Sequence, residues 1–186
     1  MKAQQTDRPL AQAARQQQLS TVVALRTFAT LAQLSLLWVA HSMLGVALPW
    51  PMLGLIFSLL LILNTTTWLR LRQQQPIGQY ELVSQLFADI AAFSLVLYFT
   101  GGVTNPFVSL YLPLLGLAAA LLPIRQVLVL AVVSVLAYSV LMMEYIPLVL
   151  ANPADGVYFH LVGMWLNFMV SALILVGFVA RLSNSL

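Results

Sequence analysis

Between residues 21 and 180 the chain is a succession of long apolar runs joined by short connections, and no other feature limits its possible folds so sharply. The runs cover roughly 21–41, 50–69, 82–100, 106–122, 127–146 and 158–180. A helix needs about 20 residues to cross a hydrocarbon core of about 30 Å. Because lipid offers no partner to an unpaired N–H or C=O, such runs must close their hydrogen bonds internally, as helices. The sequence therefore predicts an all-α, polytopic membrane protein with a bundle of six transmembrane helices. Its hydrophobic share of 61% and charged share of 7% exclude a soluble fold, since soluble domains are about 25% charged.

The run at 106–122 is short for a full crossing and holds Pro113. The connection before it should then dip below the membrane surface, which irregular backbone tolerates only under cover of protein. Residues 1–20 form a polar, glutamine-rich tail, expected to be mobile. Residues 21–181 form the membrane domain, and 182–186 read as the start of a second tail.

All eight Lys and Arg residues fall at one face: Lys2, Arg8, Arg15 and Arg26, then Arg70 and Arg72, then Arg125, then Arg181. The positive-inside rule makes that face cytoplasmic and both termini with it. Such charges orient a membrane protein and give no nucleic-acid stripe. Trp38, Trp50, Trp68 and Trp165 lie mostly near span ends, as an aromatic belt requires.

The break at Gly101-Gly102-Val103-Thr104-Asn105-Pro106-Phe107 differs from the other connections. Paired glycines permit a sharp turn. Asn105 before Pro106 reads as an N-cap with proline at the first helical position. The amides of Phe107 and Val108, at the positive end of a helix dipole, should then be free to meet a carbonyl or an anion.

This stretch, with an aspartate-bearing apolar helix before it and Leu122-Pro123 after the next helix, resembles the membrane sensor domain of RegB/PrrB-type redox-sensing histidine kinases. Five specified residues would match by chance in about one such chain in ten thousand at average usage. Arg26, Gln33, Asp89, His160 and the Gly163-Met164-Trp165 triplet also resemble that family, whereas Thr27 and Ala32 depart from its tryptophan and glycine. The resemblance implies a bacterial inner-membrane location and a homodimer. It also implies control of a cytoplasmic kinase region and its response regulator, with a ubiquinone-like quinone as signal ligand. With no cysteine in the chain, a redox response has to act through a bound molecule.

Ionisable and amide side chains inside a span are costly and need partners. Asp89 is placed level with Gln33 and Asn64, and Arg26 and Glu81 one shell nearer the cytoplasm. These five form an expected polar cluster that either glues three helices or lets Asp89 act as a proton-coupled switch. On the last run His160, Gly163, Asn167 and Ser171 share one face, suited to a helix contact or to closing a cavity under the glycine loop. The candidate quinone site is Gly101, Gly102, Asn105, Pro106, Phe107, His160 and Trp165. Asparagine, amides and histidine supply donors there, and Phe107 and Trp165 supply apolar faces. His41 and His160 are a weak basis for haem, and no metal is expected.

No phosphate loop, zinc motif or acid–base carboxylate pair is visible, so no residue is assigned a catalytic role. The phosphoacceptor histidine and ATP-binding segments of a kinase are not in this sequence, which ends near where the resemblance implies a signalling helix would start. A second reading is a six-helix substrate-binding component of a vitamin-type importer, which predicts a water-soluble ligand. The scarcity of polar residues in the spans speaks against it.

Overall fold

The computed structural model describes residues 2–78, 80–148 and 156–183. Six α-helices account for most of them: α1 Lys2–Leu44, α2 Trp50–Arg72, α3 Glu81–Phe99, α4 Tyr111–Leu121, α5 Ile124–Met143 and α6 Gly156–Ser183. Single 3-10 turns at Gly102–Thr104 and Val108–Leu110 lie between α3 and α4. Helices α1, α2, α3, α5 and α6 contain stretches long and apolar enough to cross a membrane, whereas the fourth is the shorter apolar stretch Val108–Leu121. At ~1.5 Å per residue that stretch spans ~21 Å, short of the ~30 Å core. The chain is a multi-pass membrane protein.

Helix α3 is the centre of the bundle, packing on α1, α2, α4 and α5. Its sequence explains why. Leu82, Leu86, Ile90, Phe93 and Leu97 recur at spacings of three and four and form one stripe, buried with Tyr111 and Ala118 of α4 and Leu130 and Leu141 of α5. On another side Val96 joins Leu53, Ile56, Phe57 and Leu60 of α2. Helix α6 lies outermost, and its main contacts are with α4 and the turn at Val108–Leu110.

The polar segment at 1–20 is not separate from the first span: one helix runs unbroken from Lys2 to Leu44. Leu19 and Val22 are buried in the main core. Arg15 donates from Nη1 to the Ile77 carbonyl at 3.2 Å, and Gln18 Nε2 to the Leu121 carbonyl at 3.3 Å. The end of the segment thus braces two connections at the basic end of the bundle.

The fourth helix starts later than the expected residue 106. Pro113 has no N–H, and its ring clashes with the carbonyl four residues earlier, at Ser109. The chain therefore takes a 3-10 turn over Val108–Leu110, and the α-helix begins at Tyr111, which leaves Pro113 in the first turn, where a missing N–H costs least.

Candidate functional site

The site region has two levels. At the loop end, α3 stops at Phe99 and the Thr100 hydroxyl donates back to the Val96 carbonyl at 2.6 Å. Gly101 and Gly102 then take positive φ values of 103° and 54°. A Cβ at Gly102 would overlap the Tyr145 side chain, so this position needs glycine for conformation and for space. Gly101 N–H donates to the Ile146 carbonyl at 3.1 Å, and Ile146 N–H to the Tyr98 carbonyl at 2.9 Å. Both glycines are buried, so the irregular backbone is covered by protein.

Asn105 organises this loop from within. Its Nδ2 donates to the carbonyl and the hydroxyl of Thr100 at 2.8 and 2.9 Å, and its Oδ1 accepts the Phe107 N–H at 2.9 Å. Val108 N–H donates to the Asn105 carbonyl at 3.1 Å. The expectation that the Phe107 and Val108 amides and the Asn105 side chain stand free as donors is therefore corrected. A two-residue turn closed by asparagine puts all of them to local use.

The loop is fixed to α6 at two points. Gly163 packs so closely on Pro106 that a Cβ there would overlap the proline ring. One turn further on, Asn167 Nδ2 donates to the Ser109 hydroxyl oxygen. His160 is exposed on the same side of the helix. Trp165, expected to face the ligand ring together with Phe107, is 61% exposed, and the helical angle puts it on a different face from Gly163 and Asn167. The structure thus joins Pro106, Ser109, Gly163 and Asn167, and leaves Trp165 outside.

The second level lies nearer the basic end. Arg26 Nε and Nη2 grip the two carboxylate oxygens of Asp89 at 2.5 and 3.0 Å, and Nη2 also reaches the Gln85 carbonyl at 3.3 Å. Gln85 Nε2 donates to the Thr67 hydroxyl at 3.1 Å, which ties α1, α2 and α3 together. Asn64 Nδ2 donates to the Thr27 hydroxyl at 2.7 Å. Glu81 takes Arg70 at 2.7 Å and the Gly78 N–H at 3.2 Å.

The five expected cluster residues are therefore split. Arg26 pairs with Asp89 and not with Glu81, and Gln33 lies outside these bonds. The reason is register. Arg15 meets residue 77 and Arg26 meets residue 89, offsets of 62 and 63, so α1 and α3 run side by side with residue 26 level with Asp89. Asp89 is therefore level with Arg26, about two turns of α1 before Gln33, and not with Gln33 as expected. Thr67 and Gln85, which complete the network, were missed. The sequence hint was their polarity on apolar helices.

Away from both levels, an open groove of about 400 Å³ lies between α1 and α2, lined by Leu34, Ser35, Trp38, Val39 and Trp50. His41 stacks edge-on to Trp50 at 5.4 Å and shares a hydrogen bond with the Val46 carbonyl at 2.9 Å, which orders the α1–α2 connection.

Comparison with known proteins adds two findings. A family model described as a PilS-like transmembrane domain matches residues 6–185. The sensor histidine kinase RegB of Cereibacter sphaeroides is 27% identical over 134 residues, which cover 72% of this chain and 29% of that kinase. No solved structure matches the chain.

Proposed function

Because the chain belongs to the PilS-like transmembrane-domain family, we propose that it is the membrane sensor of a two-component histidine kinase and that its signal is the redox state of a quinone in the bilayer. The observation that carries this reading is the mechanical position of the Gly101–Phe107 loop. It is bonded to the segment after α5 through Gly101 and Ile146, and it seats Pro106 against Gly163 of α6. A ligand that shifts the loop therefore shifts α6, the last of the described helices. Coupling of this kind needs two arrangements with different ligand affinity, and ~1.4 kcal/mol of difference changes the signalling ratio tenfold.

In this reading the basic end of the bundle is cytoplasmic and the loop faces the periplasm of a bacterial inner membrane. The short fourth span keeps the loop at a depth that a lipid-soluble carrier reaches. Phe107, half-buried beside Asn105, offers the ring an apolar contact. Asn105 acts as the pin of the loop, and its hydrogen bonds to Thr100 set the resting shape. A homodimer, a kinase region and a response regulator complete the scheme.

The test is quinone binding and quinone-dependent autophosphorylation in nanodiscs by the chain joined to its kinase region. Autophosphorylation that follows the oxidised-to-reduced quinone ratio supports the reading. A rate indifferent to that ratio sinks it. An importer component would instead retain a water-soluble vitamin on purification, and the similarity to a sensor histidine kinase favours the sensor.

A further inference from the structure

Two polar groups on α6 have no hydrogen-bond partner among the described residues although both are buried: Asn167 Oδ1 and Ser171 Oγ. They are four residues apart and so lie on one face, the face that carries Gly163. Asn167 is only 7% exposed. One hydrogen of its amide nitrogen is committed to Ser109, and its Oδ1 remains a buried acceptor that no donor meets among the described residues. A buried acceptor without a donor is unfavourable anywhere and more so in lipid, where water cannot serve it. The seam between the start of the fourth helix and α6 is also lightly held, because α6 is mostly exposed over Gly156–Ile174 and its main contacts are with α4 and the Val108–Leu110 turn.

We infer that the seam at Ser109, Asn167 and Ser171 is a binding site for a lipid-soluble ligand that donates a hydrogen bond through a hydroxyl group. The ligand parts α6 from α4 and gives its proton-bearing oxygen to Asn167 Oδ1. The Ser109 hydroxyl, which accepts from Asn167 Nδ2, keeps its own hydrogen to donate to the ligand oxygen. Ser171 supplies a second donor or acceptor one turn below. A quinol carries two such hydroxyls, whereas a quinone carries only carbonyl acceptors and cannot satisfy Asn167 Oδ1. The site therefore selects the reduced carrier. This deepens the quinone reading and rests on it, and it moves the discriminating contact from the loop to the helix behind it.

The experiment compares binding of decylubiquinone and its reduced quinol, kept under anaerobic conditions, to the chain in nanodiscs. The wild type is expected to bind the quinol more tightly. Asn167→Leu is expected to weaken quinol binding about tenfold and to leave quinone binding unchanged, as loss of one hydrogen bond implies. Where Asn167→Leu fails to fold, Ser171→Ala reads the same site and should lower quinol affinity by about threefold, within the range of one hydrogen bond. Quinol affinity equal to wild type in a folded variant overturns the inference and leaves the quinone reading standing. A change in oligomeric state with quinol binding intact also overturns it, assigning the seam to contact between copies. A wild type that binds neither form removes both.

Discussion

Arg26 Nε lies 2.5 Å from Asp89 Oδ1, and only 3% and 14% of the two side chains remain exposed. Each charge needs the other, because burying an isolated one costs several kcal/mol. The pair fixes α1 against α3 in one register and so sets the level of everything above it.

Removing one partner of this pair should therefore cost far more than removing both. Asp89→Ala and Arg26→Ala are each expected to destabilise the bundle by ~3–5 kcal/mol, and Arg26→Met with Asp89→Leu by much less. Unfolding in mixed micelles with rising SDS measures the cycle. Equal, additive losses would show that the two side chains do not depend on each other.

The neighbouring pair behaves differently. Arg70 is 45% exposed where it meets Glu81 at 2.7 Å, and exposed pairs contribute ~1 kcal/mol or less. Arg70→Ala should leave the unfolding midpoint nearly unchanged. Glu81→Ala should cost somewhat more, because Glu81 also accepts the Gly78 N–H ahead of α3.

Gly102 carries two separate demands, a φ of 54° and the absence of a Cβ beside Tyr145. Gly102→Ala is expected to destabilise the loop by more than ~1 kcal/mol, from left-handed strain and overlap together. Adding Tyr145→Gly, which removes the Tyr145 Cβ that an added Cβ would meet first, should recover part of the loss, the part due to overlap. Full recovery would show that the backbone angle carries no cost.

Asn105→Asp and Asn105→Ala separate the two functions of the asparagine. Aspartate keeps the acceptor for Phe107 N–H but loses the donors to Thr100, while alanine loses both. Hydrogen exchange at the Phe107 amide should rise by an order of magnitude or more in the alanine variant, as expected for loss of one hydrogen bond, and remain slow in aspartate. Fast exchange in both variants would assign protection of that amide to something other than the side chain.

Gly163→Ala should displace Pro106 and with it the start of the fourth helix, since a Cβ at residue 163 has no room. Joined to a kinase region, this variant is expected to shift basal autophosphorylation and to blunt its dependence on the quinone ratio. Unaltered output would mean that the contact between loop and α6 does not transmit the signal.

The sequence by itself determined the number and kind of elements. Apolar runs of membrane length admit only helices, because lipid offers no partner to a free backbone group. The shortness of the fourth run, the special status of the glycine-proline stretch and the need of Asp89 for a partner were legible for the same reason: each is a local violation of what lipid tolerates. Tertiary structure alone decided who meets whom. Arg26 faces Asp89 because α1 packs on α3 in the register that also sets Arg15 against Ile77, a long-range quantity that no span boundary encodes. The Phe107 and Val108 amides are closed because Asn105 folds back on its own turn, and Trp165 faces outward because α6 packs through Gly163 and Asn167. Periodicity gives a helix its faces, but only packing selects the face that is buried.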